Sequence, residues 1–387
     1  MSKFNLNQPV PILLLGDAPD QKTGLGRLGN DLAWLLSSMP EFKVGYLGRG
    51  GMGRAKNPWA QYAFAAHEQW GESKIEDAWD DLSQGQPGII FTLWDASRLV
   101  WFADPTGLSP QLQNFLTYGN FERWGYFMQD STGIIPSQIP LECAEVFARY
   151  SRVLLSSKWG HQITKNSIQL PDVDWIPHGI NRSVFQPQDR MIARSGWGVS
   201  EKEIVIGCVM SNTARKQWPV VLESIALMPG RPKLWIHTDR LVNYWNLNAL
   251  AVEYGLTGDR IIFEDRSFSD KELAWRYSAC DATVVISGGE GFCYPVAESL
   301  SCGIPVVTGE YGAAGELTDH GSIPPKYSVI DTSHNVRRAL YSAVDVRDSL
   351  QRCLAIYGEL DCTKLVNHLD WPNLGPVWRK WLRKGLV

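Results

Sequence analysis

Glu290 and Glu298 are separated by seven residues in GGEGFCYPVAE (residues 288–298), with a Gly-Phe-Cys-Tyr-Pro corner between them. The surrounding stretch, ATVVISGGEGFCYPVAESLSCGIPVVTG, reads as strand, loop, helix, strand. Pro295 suits a first helical turn and Gly303 ends the helix before the next strand. Glu290 therefore falls on a loop at a strand's carboxyl edge, and Glu298 about one turn into the helix, so both can face one ligand. That edge is where open α/β sheets bind ligands. Loop amides there can hold sugar hydroxyls or phosphate, while two carboxylates accept hydrogen bonds from sugar and ribose hydroxyls. A plain helix start, its acids complementing the helix dipole, fits the same pattern.

Two glycine patterns invite a dinucleotide reading and fail its context. The spacing G-x-G-x-x-G occurs as Gly24, Gly26, Gly29 and as Gly48, Gly50, Gly53. A dinucleotide fingerprint follows its strand at once, opens a helix and meets an acid at the end of the next strand. The first copy lies well beyond the strand ending at Gly16, and the next strand closes without an acid; the second runs into Lys56-Asn57-Pro58. The first copy does open a helix, where bare amides suit a phosphate; a turn that uses glycine for backbone shape is the alternative.

These positions need a scaffold, and the apolar pattern supplies one. The runs PILLLG, FKVGYLG, GIIFTLW, WGYFMQ and RVLLSS alternate with amphipathic segments such as LGNDLAWLLSSM, the rhythm of βαβ units around a parallel sheet. After IPHGINRSVFQPQ the rhythm restarts with EIVIGCVM, KQWPVVLESIALM, KLWIHT, RIIFED, KELAWRYSAC, ATVVIS and IPVVTG. Pro187, a charged stretch and Gly196/Gly198 interrupt both periodicities. The expected division is thus 1–187, 188–365 and a helical segment 366–387, with the chain turning helical past Asp331. At 387 residues, 44% hydrophobic and 20% charged, the chain suits two compact cores. Seven scattered cysteines without a Cys-x-x-Cys pair suggest neither a disulfide framework nor a zinc knuckle, and reduced thiols are expected. A net charge of −4 argues against a generally basic nucleic-acid coat. No run is long enough for a membrane span, and a cytoplasmic location is expected.

The Glu, seven residues, Glu segment resembles the signature of retaining glycosyltransferases of the GT-B fold, especially glycosyltransferase family 4, usually E-G-F-G-L-P followed by E-A-x-A-x-G-x-P-V. TGLGRLGNDLAWLL, IPHGINRSVF, ARKQWPVVLESI and FEDRSFSDKELAWRYSACDATVVIS fall in the family's order. The resemblance implies two Rossmann-like domains with parallel sheets facing across a cleft, and a last helix crossing back to the first domain. It also implies a nucleotide sugar held mainly by the C-terminal domain. Carried over by position, Glu290 and the amides of Phe292 and Cys293 would hold the donor sugar, Glu298 the ribose, and Lys216 with Arg215 the diphosphate. Gly24 and Gly26 would approach that diphosphate from the other domain. No cofactor or metal is implied, because Lys, Arg and amides can stabilise a departing diphosphate as a divalent ion does elsewhere.

Departures from the family pattern bear on specificity. Met210-Ser211-Asn212 replaces the family's Gly-Arg pair, which leaves Asn212 near the donor and Arg215 as the substitute cation. Cys293 stands for the usual glycine and Tyr294 for leucine, reshaping the sugar pocket; packing is the expected role of Cys293, since no histidine adjoins it as a base. Where relatives place a histidine, this chain has Gln129-Asp130; Asp130, or Asp95 in TLWDASR, is a candidate to position the acceptor hydroxyl or take its proton. Helix capping is the rival role for both. His178 in IPHG fits a structural turn. The loop GRGGMGRAKNPWAQY offers Arg49, Arg54, Lys56 and Trp59 to grip phosphate and stack on a ring; a solvated basic loop is the alternative.

The expected activity is retaining transfer of a hexose or pentose from a UDP, GDP or ADP sugar to an acceptor hydroxyl, through front-face attack and without a protein nucleophile. Three acceptor classes stay open: a glycan or small metabolite, a lipid-linked sugar at a membrane surface, and a hydroxymethylated base in DNA. Membrane or DNA contact would suit the basic, aromatic WRKWLRK (378–384), as would a last helix packed on the first domain. A non-catalytic sugar-nucleotide binder is the remaining alternative.

Overall fold

A computed structural model describes residues 4–51, 56–65, 67–68, 70–331 and 335–387. Two compact units emerge, and neither is one continuous stretch. The first comprises residues 1–129, 137–179 and 374–387, and the second residues 130–136 and 180–373. The chain thus passes to the second unit at Gly179–Ile180, ahead of the boundary expected at 187.

In the first unit, seven strands form one sheet: β1 (Val10–Asp17), β2 (Phe42–Arg49), β3 (Ala60–Phe64), β4 (Gly88–Thr92), β5 (Phe121–Phe127), β6 (Arg152–Leu155) and β7 (Val173–Trp175). All pair in parallel, in the order β3-β2-β1-β4-β5-β6-β7. Continuous apolar runs form these strands because helices cover both faces of a parallel sheet. Ile12, Leu13, Leu14 and Leu15 are all fully buried. The helix Trp371–Lys384 buries Trp378 against Tyr126 and Trp381 against Phe91 and Trp124 of this sheet. There Arg152 is held over the rings of Trp381 and Trp124 at 3.9 and 4.7 Å, and its Nη1 donates to the Trp381 carbonyl.

The second unit repeats the architecture with β8 (Val205–Val209), β9 (Lys233–His237), β10 (Ile261–Glu264), β11 (Ala282–Val285), β12 (Val306–Gly309) and β13 (Ser322–Ile323). Their order is β10-β9-β8-β11-β12-β13, again parallel. Beneath the sheet, Asp281 accepts from Arg190, from Arg194 at 2.6 Å and from the Val205 amide at 2.8 Å. Past Asp331 the expectation of helix needs correcting, because the strand Val336–Leu340 comes first. Tyr327–Asp331 (β14) and Val336–Leu340 (β15) pair antiparallel before the helix Ala343–Ala355 begins. Val-Arg-Arg-Ala-Leu buries Val336 and Ala339 and leaves both arginines partly exposed, which an extended, half-buried strand accommodates.

Candidate active site

In each sheet the first strand is flanked by chains running away in opposite directions, so a crevice opens at the carboxyl ends of the two central strands. In the second unit those strands are β8 and β11. The loop after β8 is braced by Asn212. Its amide donates to Asp239, its side-chain nitrogen to the Arg240 and Trp245 carbonyls, and its side-chain oxygen accepts from the Trp245 amide. This residue, expected near the donor, therefore has its polar atoms committed to holding the loop. The loop then runs antiparallel to the end of β11: Gln217 N donates to Ile286 O at 3.0 Å, and Gly288 N to Arg215 O at 2.8 Å. That stitching delivers Arg215 and Lys216 to Glu290.

Lys216 Nζ donates to Glu290 Oε1 in a close ion pair, both side chains nearly buried. Arg215 Nη2 lies 3.5 Å from Glu290 Oε2, and Arg215 Nε 3.4 Å from Asp130 Oδ2. Burial opposes ionisation of Glu290, but Arg215, Lys216 and a bond from Ser287 outweigh it and hold the carboxyl at about 2. Glu290 is therefore an anion at neutral pH. Its carbonyl accepts from the Ala313 amide at 2.9 Å, which fixes the loop backbone as well. Gly289 is required by close approach: a Cβ there would stand 1.9 Å from the Asp130 carbonyl oxygen.

Beyond Glu290, Phe292 and Cys293 are buried, and Cys293 begins the helix Tyr294–Ser301 in the left-handed region at φ +87°. Burial and the charge of Glu290 push the Cys293 thiol up to about 12, the opposite of what a nucleophile needs. The Phe292 and Tyr294 rings meet edge-on at 5.2 Å. Glu298 is buried one turn into the helix and accepts from the Tyr277 phenol at 2.9 Å. The phenol's acidity is suppressed by burial and then by Glu298, so it serves as a fixed donor.

Asp130 is no helix cap; it bridges Arg215 and Arg338, the latter at 3.1 Å. Arg338 in turn lies 3.7 Å from Asp331. Sequence reasoning passed over Arg338. The Arg-Arg doublet was its only signal, and the expected helix hid its direction.

The corresponding crevice of the first unit lies between β1 and β4. Asp17 there accepts from Trp94 Nε1 at 3.0 Å and Thr23 Oγ1 at 3.3 Å, with Arg98 at 4.0 Å. Asp95 makes no capping bond; its carboxylate lies 3.7 Å from Arg98. Arg49 and Arg98 both approach the Trp70 ring, at 4.5 and 5.0 Å. Gly24 opens the helix Gly24–Ser37, but the Gly26 amide is already taken by the Thr23 side chain at 3.0 Å. Gly26 is glycine for space, since a Cβ would meet the Gln21 carbonyl at 2.3 Å. The basic loop does not assemble as one patch. Arg49 ends β2, whereas Trp59 precedes Ala60, which pairs with Gly45 at the other end of the ladder. Trp59 is buried edge-on against Trp34 at 5.5 Å, Lys56 is exposed, and Arg54 lies outside the described residues. His178 is buried against Tyr126, 2.8 Å from its phenol, which itself donates to the Ile176 carbonyl. Burial lowers its pKa to about 3.

Two parallel sheets of this kind define the GT-B class. Sucrose-phosphate synthase from Thermosynechococcus elongatus superposes with a TM-score of 0.73 at 17% identity, covering 97% of this chain and 98% of that one. Anabaena HepE in complex with UDP-glucose gives a TM-score of 0.68 at 15% identity, covering 97% and 99%. Within the chain, residues 192–351 match the model of the family described as Glycosyl transferases group 1. That segment contains Arg215, Lys216, Glu290, Glu298 and Arg338. D-inositol 3-phosphate glycosyltransferase of Mycolicibacterium vanbaalenii is 30% identical over 152 residues, 36% of this chain and 33% of the relative. The chain thus spans about a third of the length of the curated relatives it matches.

Proposed function

We propose that the protein is a retaining glycosyltransferase that moves a sugar from a nucleoside diphosphate sugar to an acceptor hydroxyl. The buried Lys216–Glu290 pair, with Arg215 beside it at the sheet's switch point, carries the reading. An anion fixed by two cations can accept from donor sugar hydroxyls, while the cations face the diphosphate and stabilise the charge that develops as it leaves. Glu298, held by Tyr277, takes the ribose hydroxyls in this scheme. The departing phosphate helps to deprotonate the acceptor on the face it vacates, so no protein nucleophile is needed, and the raised Cys293 thiol agrees with that. A divalent ion has no assigned part. A uridine donor is the first to test, because the solved neighbours include one with UDP-glucose.

For the acceptor, the cluster of Asp17, Asp95, Arg49 and Arg98 around Trp70 offers both donors and acceptors to a polyol. A glycan, small metabolite or sugar-bearing lipid suits it better than a DNA base. The aromatic side chains that a DNA or membrane contact would use, Trp59, Trp378 and Trp381, are all buried. No helix of the described residues is long and apolar enough to cross a membrane.

Screening UDP-, GDP- and ADP-sugars by thermal shift identifies the donor, and product NMR gives the anomer. Glu290→Ala should lower turnover by at least about a hundredfold, the scale of losing a preorganised electrostatic contact, with nucleoside diphosphate still bound. Full activity of that variant sinks the assignment, and an inverted product sinks the stereochemistry. A purely sugar-nucleotide-binding protein would show no slow donor hydrolysis.

A further inference from the structure

We infer that Arg338 is a third diphosphate-binding residue of this site, and that Asp130 occupies, between Arg338 and Arg215, the place a donor phosphate oxygen takes on binding. The inference rests on the donor reading above and extends it to residues outside the Glu, seven residues, Glu segment.

Arg338 is set rigidly against the loops that carry Lys216 and Glu290. Its neighbour Ala339 donates from its amide to the Gly288 carbonyl at 3.0 Å and accepts from the Gln217 side chain at 2.7 Å. Tyr341 N donates to Gln217 Oε1 at 3.1 Å, so Gln217, the residue after Lys216, ties β15 to the site. On the other flank the Arg337 amide donates to the Thr132 carbonyl at 2.9 Å, bringing the 130–136 segment alongside. Arg338 thus reaches Asp130 from a fixed base.

A single oxygen, Asp130 Oδ2, lies 3.4 Å from Arg215 Nε and 3.1 Å from Arg338 Nη1. One anionic oxygen between two guanidinium groups is also how phosphate oxygens are gripped. Yet Arg338 uses Asp130 poorly. Its Nη1 and Nε are buried and make no aligned hydrogen bond, despite the short ionic contacts. Buried donors left unmatched favour any acceptor that aligns better. A diphosphate offers several oxygens where the carboxylate offers one. Charge points the same way: Lys216, Arg215 and Arg338 less Glu290 and Asp331 leave the cluster net positive once Asp130 swings aside, toward an anionic nucleoside diphosphate sugar.

The test is calorimetric titration of wild type, Lys216→Ala, Arg338→Ala, Arg338→Lys and Asp130→Asn with UDP, GDP and ADP and with the matching monophosphates. Arg338→Ala should weaken the bound diphosphate roughly tenfold or more, the scale of a lost charged hydrogen bond, and narrow its advantage over the monophosphate. Arg338→Lys should restore part of that advantage. Asp130→Asn should tighten diphosphate binding several-fold by releasing both arginines. Melting temperatures identify any variant that misfolds, and Arg338→Lys and Asp130→Asn keep the test decisive if Arg338→Ala does. If Arg338→Ala keeps the wild-type preference while Lys216→Ala loses it, the role of Arg338 is refuted and the donor reading stands. Weaker diphosphate binding by Asp130→Asn refutes the exchange. A folded wild type that binds none of the three diphosphates overturns both.

Discussion

The left-handed Cys293 permits a sharp test of the loop between the two glutamates. At φ +87° and ψ 74° its backbone occupies a region that costs an L-residue about 1–2 kcal/mol because Cβ crowds the following carbonyl. Alanine removes the buried thiol but keeps that crowding. Glycine removes the thiol and the crowding, and gives back about 0.5–1 kcal/mol through the greater freedom of its unfolded chain. The difference should leave Cys293→Gly more stable than Cys293→Ala by about 1 kcal/mol, although glycine is the worse residue at ordinary positions. With a urea dependence of about 2 kcal/mol/M, its midpoint should lie about 0.5 M higher. Urea titrations followed by fluorescence, with slopes compared to confirm equal cooperativity, measure this. An alanine variant as stable as the glycine variant would show that the backbone is not held left-handed and would refute the reasoning. Both variants keep the residue 293 amide, so a difference between them in donor binding reports loop geometry alone.

Further predictions address the rest of the framework. His178 is buried neutral with its pKa lowered to about 3, so the stability it confers is complete above its ordinary value near 6.5 and is lost as pH falls toward 3. Between pH 6.5 and 5 the loss should approach 2 kcal/mol at about 1.4 kcal/mol per unit, and a pH series of denaturation curves should be flatter for His178→Gln. Trp381→Ala should cost about 3–5 kcal/mol by emptying the space between Phe91, Trp124 and Arg152, visible in thermal denaturation, while nucleoside diphosphate titration stays unchanged. Asp281→Ala strands the fully buried Arg194 and should cost about 3–5 kcal/mol in urea titration; a loss under 1 kcal/mol would show that solvent reaches the guanidinium.

The strands that build both sheets were readable because parallel strands covered on two faces must be continuous apolar runs, as PILLLG and ATVVIS are. Glu290 and Glu298 were readable for a related reason: proline and glycine punctuate the helix between them. Other elements left weaker marks. Ala60–Phe64 is an edge strand with only Phe64 buried, so its sequence resembles a loop. The β14–β15 hairpin carries two arginines on a short strand, and its pairing depends on a partner that no local pattern reveals. Trp59 looked like a ligand platform because its neighbours are basic, but the chain must return to the far end of the sheet to start a parallel strand, and the residue that seals that return is buried. Asn212 braces a loop, a role decided by carbonyls 28 and 33 residues further on.

The discontinuity of the two units has a consequence for how the protein is made. Residues 374–387 complete the first unit, and the Trp381 ring and carbonyl cover Arg152 in its core. During synthesis that arginine waits beside an unfilled space while the whole second unit emerges from the ribosome. The first unit lacks that cover until the helix Trp371–Lys384 is made, whereas the second unit, whose 130–136 segment has already been made, can close first. Expressed alone, a fragment ending near residue 187 should be insoluble, and supplying residues 366–387 as a separate peptide should rescue it.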